Sequence, residues 1–375
     1  MKKIFMFVNV DWFFFSHRQP IARAAKKNNV DMVVYTDITN TQEKINEYEY
    51  TLCQSPIHRT SKSIFHVIFE FSRAYFLVKN NKPDLIHAVT IKPILILGLI
   101  ARFQSIPIVA AISGLGPAFQ PNSLLSNLRL IIIIVLLRFI FKNKKARIIC
   151  QSKDDCDVLI NKFIALSENI SLFPGSGVDV EAYSPQKKKV NGDKYILMSS
   201  RILIDKGIKE YCLAANMVRE RFGNEYKFLL SGPIDRNSPT YFSKSDLKKL
   251  TDSCGVEYIG NRKDMPELLA SAIMFVLPSY YAEGMPKVLL EASSCGIPII
   301  TTDHPGCRDS IIEGKTGLLV PIKNSDALAS AIIKLIENKS LCIEMGNKGR
   351  ILAMSSYRDS KVVSNHYSLY RDLVL

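Results

Sequence analysis

The sequence predicts an α/β protein built from two doubly wound parallel-sheet domains. Three observations carry that prediction. Short apolar runs of strand length alternate with longer segments of helical period, the pattern of βα units feeding parallel sheets. The alternation occurs twice, broken once by a turn-rich basic stretch. The chain has 375 residues, 47% of them hydrophobic, enough for two or three domains with ample core.

In the first half, Lys3–Asn9, Asp31–Tyr35, Asp84–Ala88, Ile106–Ile112, Ala146–Cys150 and Ile170–Phe173 read as buried strands. Arg18–Lys27, Ile64–Asn80, Lys92–Phe103, Ser123–Lys142 and Lys153–Leu166 read as the helices between them. Pro174 to Asp179, then Tyr183 to Asp193, form the turn-rich, lysine-bearing linker. A second set of strands follows at Tyr195–Ser199, Lys227–Leu230, Val256–Ile259, Ile273–Leu277, Ile297–Thr301 and Leu318–Val320. Its helices fall at Lys206–Phe222, Tyr241–Asp252, Pro286–Ser294 and Ser325–Glu337, and the chain ends in more helix. The reading is two Rossmann-like domains facing each other across a cleft, with ligands beyond the carboxyl ends of the strands.

The formal charge is +14 and the pI near 9.3, a balance that favours anionic partners. Nucleic acid is one such partner, but the sequence carries no zinc-knuckle spacing, no RNP-like strand and no concentrated basic arm. Eight scattered cysteines without a Cys-x-x-Cys pair read as buried thiols of a reducing compartment. Met1 to Val10 starts like a signal peptide, but Asp11 interrupts it and no small-residue cleavage site follows, so a first buried strand is the better reading. No uninterrupted run reaches the roughly 18–20 apolar residues of a spanning helix, and the expectation is a cytoplasmic protein, soluble or peripheral to a membrane.

The stretch Leu277-Pro-Ser-Tyr-Tyr-Ala-Glu-Gly-Met-Pro-Lys-Val-Leu-Leu-Glu291 concentrates the chemistry. An apolar strand runs into it, Pro278 and Gly284 make a loop, and Pro286 suits the first turn of a helix. A helix start offers N–H donors and the positive end of a dipole to a phosphate. Glu283 lies in the loop, nearer a reacting group. Glu291 lies about two turns into the helix, where a carboxylate can accept from vicinal ribose hydroxyls. Spacing alone fits equally a loop glutamate and a solvated helix glutamate.

The whole segment resembles the Glu-x7-Glu motif of retaining glycosyltransferases of family 4. The likeness continues through Gly296–Gly306 and Glu313–Pro321. It implies the GT-B architecture, with an acceptor-binding domain at 1–180, a nucleotide-sugar domain at 181–355, and a last helix, 356–375, crossing back to the first domain. Ser199-Ser-Arg-Ile-Leu-Ile-Asp-Lys-Gly207 follows a strand and opens a helix. Arg201 and Lys206 there oppose the helix dipole, which argues for a ligand role. The stretch resembles the family's donor-diphosphate motif. Together with Glu283, these two cations are the expected catalytic residues. Gly232 resembles the Gly-rich turn near the donor, and Arg262 lies in the loop near the family's nucleobase site. Gly284, Met285, Pro286 and Lys287 supply the helix start, and Glu291 the ribose contact.

In the first half, His17 and Arg18 stand where family 4 members carry a Gly-rich loop; this chain has aromatics instead. His87-Ala-Val-Thr-Ile-Lys-Pro93 and Ile112-Ser-Gly-Leu-Gly-Pro-Ala-Phe119 resemble a subgroup that extends undecaprenyl-diphosphate-linked sugars, N-acetylgalactosaminyltransferases among them. Lys92, Ser113, Gly114 and Gly116 are therefore acceptor-side candidates, and Ser113 replaces a histidine common in the family. The resemblance implies transfer of N-acetylgalactosamine, in α-1,3 linkage, from UDP to a lipid-linked saccharide of bacterial glycan assembly. It implies front-face displacement; the sequence itself offers no protein nucleophile, and two cations with a helix start can meet a diphosphate in place of a metal, so none is expected. Asp155-Cys-Asp157 spells a metal motif of another glycosyltransferase fold but reads as a capped helix start after Ser152.

From Leu85 through Lys153 there are nine Lys or Arg and no Asp or Glu. Within that stretch the apolar run Leu130 to Leu137 spans only about 12 Å as helix, too short to cross a bilayer. Arg138, Lys142 and Lys145 fall on one helical face, so Leu130–Lys145 suits the headgroup region of an anionic membrane. A core helix with a basic exposed end is the alternative. The rival functions are a UDP-sugar 2-epimerase of the same architecture and, from charge alone, a nucleic-acid-binding protein.

Overall fold

The computed structural model describes residues 1–39, 50–58, 63–121, 123–185, 194–236 and 238–374. Residues 186–193 of the expected linker lie outside them. The chain forms two compact units, Met1–Ser176 with Asp359–Leu375, and Gly177–Arg358.

The first unit is built from β1 (Lys2–Val8), α1 (Asp11–His17), α2 (Gln19–Arg23), β2 (Val30–Thr36), β3 (Thr51–Gln54), α3 (Ile64–Asn81), β4 (Leu85–Val89), α4 (Ile91–Gln104), β5 (Ile108–Ile112), α5 (Leu124–Phe141), β6 (Ala146–Cys150), α6 (Lys153–Asn161) and β7 (Ile170–Leu172). Its seven strands run β3-β2-β1-β4-β5-β6-β7, all parallel, and the order reverses between β1 and β4. Both faces are covered: Phe5 and Phe7 enter one core, while Ile4, Met6 and Val8 enter the other. Alternate residues of one strand thus feed two cores, as burial on both faces of a parallel sheet requires.

The second unit contains β8 (Tyr195–Ser199), α7 (Ile208–Phe222), β9 (Lys227–Ser231), α8 (Lys244–Cys254), β10 (Val256–Tyr258), α9 (Met265–Ser271), β11 (Met274–Leu277), α10 (Lys287–Ser294), β12 (Ile299–Thr302), β13 (Gly317–Val320), α11 (Ser325–Glu337) and α12 (Lys339–Leu352). Its order is β10-β9-β8-β11-β12-β13, again parallel, reversing between β8 and β11. After a π-helical turn at Ala353–Tyr357, α13 (Asp359–Leu373) packs in the first unit. There the Tyr367 hydroxyl donates to the Ile21 carbonyl at 2.9 Å, and the Tyr370 hydroxyl lies 2.7 Å from His87 Nδ1.

Several elements differ from the sequence reading for local reasons. The stretch read as a loop at Val10–Arg18 holds α1. Asp11 is buried in its first turn, where its carboxylate accepts from the Thr39 backbone N–H and hydroxyl, both at 2.8 Å. The helix predicted through Lys27 stops at Arg23, followed by a 3₁₀ turn that Asn29 closes in the left-handed region, φ 58°. The one predicted through Leu166 stops at Asn161, because Phe163 takes φ 51°. β3 and α9 were not anticipated; each is short, and a short apolar run gives little periodicity to read.

α5 is longer than its uninterrupted apolar run. It has 18 residues with mean hydropathy 2.3, and by length and composition alone it could cross a membrane. Leu130, Ile133, Leu137, Ile140 and Phe141 are nevertheless buried in the unit. The helix ends at Phe141 with Lys142 as C-cap, so Lys145 lies beyond it and does not extend its face.

Candidate functional site

A pocket of about 200 Å³ opens at the carboxyl ends of β8 and β11, where the strand order of the second sheet reverses. That is where doubly wound sheets bind ligands, because the loops there diverge. Arg201, Lys206, Glu283, Pro286, Lys287 and Glu291 all line it. Six residues from two motifs, some 80 positions apart in sequence, are thus gathered by adjacent strands.

Lys206 ends the 3₁₀ turn Ile204–Lys206 and is only 5% exposed. Burying an ammonium group demands a partner, and Glu283 supplies it in a direct ion pair. Gly207 takes φ +77°, and a Cβ there would collide with the Pro278 carbonyl, so only glycine lets the two loops approach. Arg201 donates to Asp235 at 2.9 Å. Burial opposes its charge, but bonding to Tyr281 and Asp235 outweighs burial and holds its pKa above the ordinary value. Tyr281 lies under both cations: the Arg201 guanidinium is 5.3 Å and the Lys206 ammonium 5.0 Å from its ring centre. Two cations are therefore held on one aromatic ring, each with one carboxylate.

Pro286 is the N-cap of α10 rather than its first residue, and it has no side chain to accept from the first-turn N–H groups. Glu291 faces the pocket beside Tyr183, whose phenol is pushed up by burial and by that carboxylate. Met285 does not line the pocket. It is buried with Val178, Leu290 and Tyr357 in a small core that anchors the loop from below. Gly284 is placed by backbone contact: a Cβ on Gly306 would strike its carbonyl, so the Gly296–Gly306 segment packs directly on the loop. Gly232, φ +140°, brings its turn against the Ser200 carbonyl and shapes the pocket without lining it. Arg262 stays apart on an exposed turn, where Asp264 accepts from it at 2.8 and 2.6 Å and raises its pKa.

The first unit gathers its candidates differently. Arg18, Ser113, Gly114 and Gly116 meet at the ends of β1 and β5. Arg18 is buried and donates to Ser113 Oγ at 3.1 Å and the His17 carbonyl at 3.2 Å. Burial pulls its pKa down to about 10. His17 stacks on Phe13, 4.2 Å between ring centres. Gly114 and Gly116 take φ 103° and 66°, and the intervening Leu115 N–H donates to Asp155 at 3.2 Å. The Asp155 side chain therefore fastens this loop, while its backbone N–H donates to the Ser152 hydroxyl that caps α6. Among the described residues no group of three or more His, Cys, Asp or Glu is placed to hold a metal ion. Lys92 stands in the first turn of α4, where it pairs with the buried Glu70 at 2.7 Å and donates to the His58 carbonyl at 2.6 Å. Tyr281, Asp235, Tyr183 and Glu70 were missed in the sequence. Only Tyr281 and Tyr183 carried a signal, as aromatics adjoining predicted loops.

Two parallel sheets of this order, one with paired cations and carboxylates at its switch point, are the GT-B architecture. Comparison with known proteins gives the family. The model described as glycosyl transferases group 1 matches residues 179–351, and that described as glycosyl transferase 4-like matches residues 3–152. The chain belongs to this glycosyltransferase family and is a transferase. It is 28% identical over 367 residues to N,N'-diacetylbacillosaminyl-diphospho-undecaprenol alpha-1,3-N-acetylgalactosaminyltransferase of Campylobacter jejuni, covering 94% of each chain. It is 26% identical over 317 residues to UDP-Gal:alpha-D-GlcNAc-diphosphoundecaprenol alpha-1,3-galactosyltransferase of Escherichia coli, covering 80% of this chain and 78% of the other. Sucrose-phosphate synthase from Thermosynechococcus elongatus shares the fold, with TM-score 0.80 at 19% identity over 100% of this chain and 99% of that one.

Proposed function

We propose that this protein is a retaining glycosyltransferase that moves N-acetylgalactosamine from UDP to an undecaprenyl-diphosphate-linked saccharide, forming an α-1,3 linkage. The observation that carries the reading is the convergence of Arg201, Lys206, Glu283 and Glu291 on one pocket at the switch point of the second sheet. The near full-length likeness to the Campylobacter enzyme supports the acceptor class, the sugar and the linkage.

In this reading the UDP diphosphate lies against Arg201 and Lys206 and the amino end of α10. Charge that develops on the leaving phosphate meets cations already in place, so no reorganisation is needed during the reaction. Glu291 holds the ribose hydroxyls. Glu283 pairs with the buried Lys206 and borders the transferred sugar. The leaving phosphate takes the acceptor proton, and transfer proceeds on the front face. His17, Ser113, Gly114 and Gly116 border the acceptor side, where Arg18 and Lys92 brace the loops through Ser113 and Glu70 and do not meet the ligand themselves. Two side-chain cations carry the counter-charge to the diphosphate, so activity is expected to persist in EDTA. Complete loss on chelation, restored by manganese, would contradict this. The enzyme works at the cytoplasmic face of the membrane, docked through the Leu130–Lys145 edge, where a lipid-linked acceptor resides.

The test is a donor screen with membrane lipid extract, reading the mass and linkage of the new lipid-linked sugar. Transfer of N-acetylhexosamine from its UDP form, with retained anomeric configuration, is expected. Epimer accumulation from UDP-sugar without acceptor would overturn the reading.

A further inference from the structure

The apolar edge of α5 is one half of a larger surface. Leu124, Leu125, Leu128, Ile131, Ile132, Val135 and Phe139 are exposed, Leu124 to 88%. At 100° per residue they fall within about 120° of arc, opposite the buried stripe. The other half is α3, which the sequence reading took for an ordinary helix. Ile64, Phe65, Ile68, Phe69 and Phe76 are exposed there, Phe65 to 80%, within about 140° of arc. Soluble proteins rarely leave so continuous an apolar surface uncovered.

The two stripes face the same way. Ala74 and Val78 of α3, and Ile133, Leu137 and Ile140 of α5, enter the same core on one face of the first sheet. α4 packs between the two helices and is half buried. At its end Phe103 is exposed and lies 6.3 Å from Phe139, which joins the layer to α5.

The charge around this layer selects its occupant. From Ile64 to Cys150 there are eleven Lys or Arg and two acids. Both acids are engaged, Glu70 by Lys92 and Asp84 by Lys2. Arg73 lies over Phe69 at 5.6 Å and Arg102 over Phe139 at 5.5 Å, so cationic heads sit among the apolar rings. A protein partner with an apolar face would gain nothing from this excess. A bilayer with anionic headgroups satisfies both properties at once: apolar side chains enter the acyl boundary while Lys and Arg remain among phosphates.

We infer that α3 and α5 together form a docking surface for an anionic membrane, with the phenylalanine ridge of α3 inserting beside the aliphatic ridge of α5. This rests on the lipid-linked acceptor reading and extends its membrane contact to a second helix.

The experiment uses the full chain with vesicles of phosphatidylglycerol mixed with phosphatidylcholine, and of phosphatidylcholine alone. Phe65→Ser with Phe69→Ser is expected to weaken partitioning onto the anionic vesicles by about tenfold or more, from the loss of two buried rings. Its thermal melt and its transfer to a short-chain soluble acceptor should stay unchanged. Phe65→Trp gives a second reading, with emission expected to move to the blue on anionic vesicles. Unchanged partitioning of the double variant, an unshifted emission, or equal binding to both vesicle types would overturn the inference. So would a wild-type dimer in sedimentation velocity that the double variant abolishes, because a second copy would then cover α3. Wild type that binds vesicles but fails on the soluble acceptor would instead count against the transferase reading and leave the surface standing.

Discussion

In the second unit three cations predicted from sequence, Arg201, Lys206 and Lys287, stand together in one pocket, and only Arg262 lies apart. In the first unit, cations predicted from loops of the same kind are already held by the protein. Lys206 and Arg201 each have a carboxylate partner and still line about 200 Å³ of open space. Lys92 is drawn down onto the buried Glu70, and Arg18 is sealed beneath Ser113 and His17. The two sheets share topology, so strand order does not make the difference. What differs is what lies beside each cation: an open pocket in one unit, a buried acid or a closed loop in the other. A cation at a strand end is ready for a ligand only when its partner within the protein leaves it bordering open space.

Substitutions that treat the two units alike put that contrast at risk. Arg201→Ala and Lys206→Ala are expected to cost about 2–4 kcal/mol each in transition-state stabilisation, read as kcat/KM. Unchanged kinetics in both would remove them from the site. Lys92→Met should act mainly on stability, lowering it by about 1–3 kcal/mol in denaturant unfolding, because Glu70 is left buried without its partner and Lys92 itself is partly exposed. A large loss of turnover with unaltered stability would show that Lys92 serves the ligand after all. Glu291→Gln should raise the donor KM by about tenfold with little change in kcat, as expected for a charged hydrogen bond to bound ribose. Glu283→Gln should do the opposite, lowering kcat or altering donor choice, since the proposed reaction sets that carboxylate beside the transferred sugar.

A pH effect on stability, with no expected change in turnover, concerns the closed side of the first unit. His366 in α13 is buried, and burial followed by the Arg18 charge lowers its pKa to about 3. His87 is lowered for the same first reason, with His366 and Arg18 adding to it. Both are neutral when folded, whereas the unfolded chain takes up protons below about pH 6.5. Their contribution is fully present above that pH and is lost as pH falls towards 3, with a slope of about 1.4 kcal/mol per pH unit for each group. His366→Gln should flatten the fall in melting temperature between pH 7 and pH 5. An equally steep fall in both proteins would place the acid sensitivity elsewhere.

Much of this was legible in the sequence. The strands show because continuous apolar runs are what two-sided burial demands, and the Glu283–Glu291 segment shows because a strand, a loop and a helix start leave distinct residue signatures. The partners of the cations did not show. Asp235 lies 34 residues from Arg201 and Glu70 lies 22 from Lys92, and neither pairing has a local pattern. Met285 and Gly232 sat in the right motif but support the pocket from behind, a distinction made only by packing. The ridge of α3 was hidden for another reason. Its period is that of any amphipathic helix, and only the folded layer shows that its apolar stripe is split, with Val78 inward and Phe65 outward.

The central claim is that the second unit's pocket alone holds the nucleotide. Titration calorimetry of UDP with wild type, Lys206→Ala, Glu291→Gln and Lys92→Met tests it most directly. UDP should bind wild type and Lys92→Met equally, and each pocket variant at least about tenfold more weakly. UDP affinity that is unchanged in both pocket variants, or that falls only in Lys92→Met, would contradict the account.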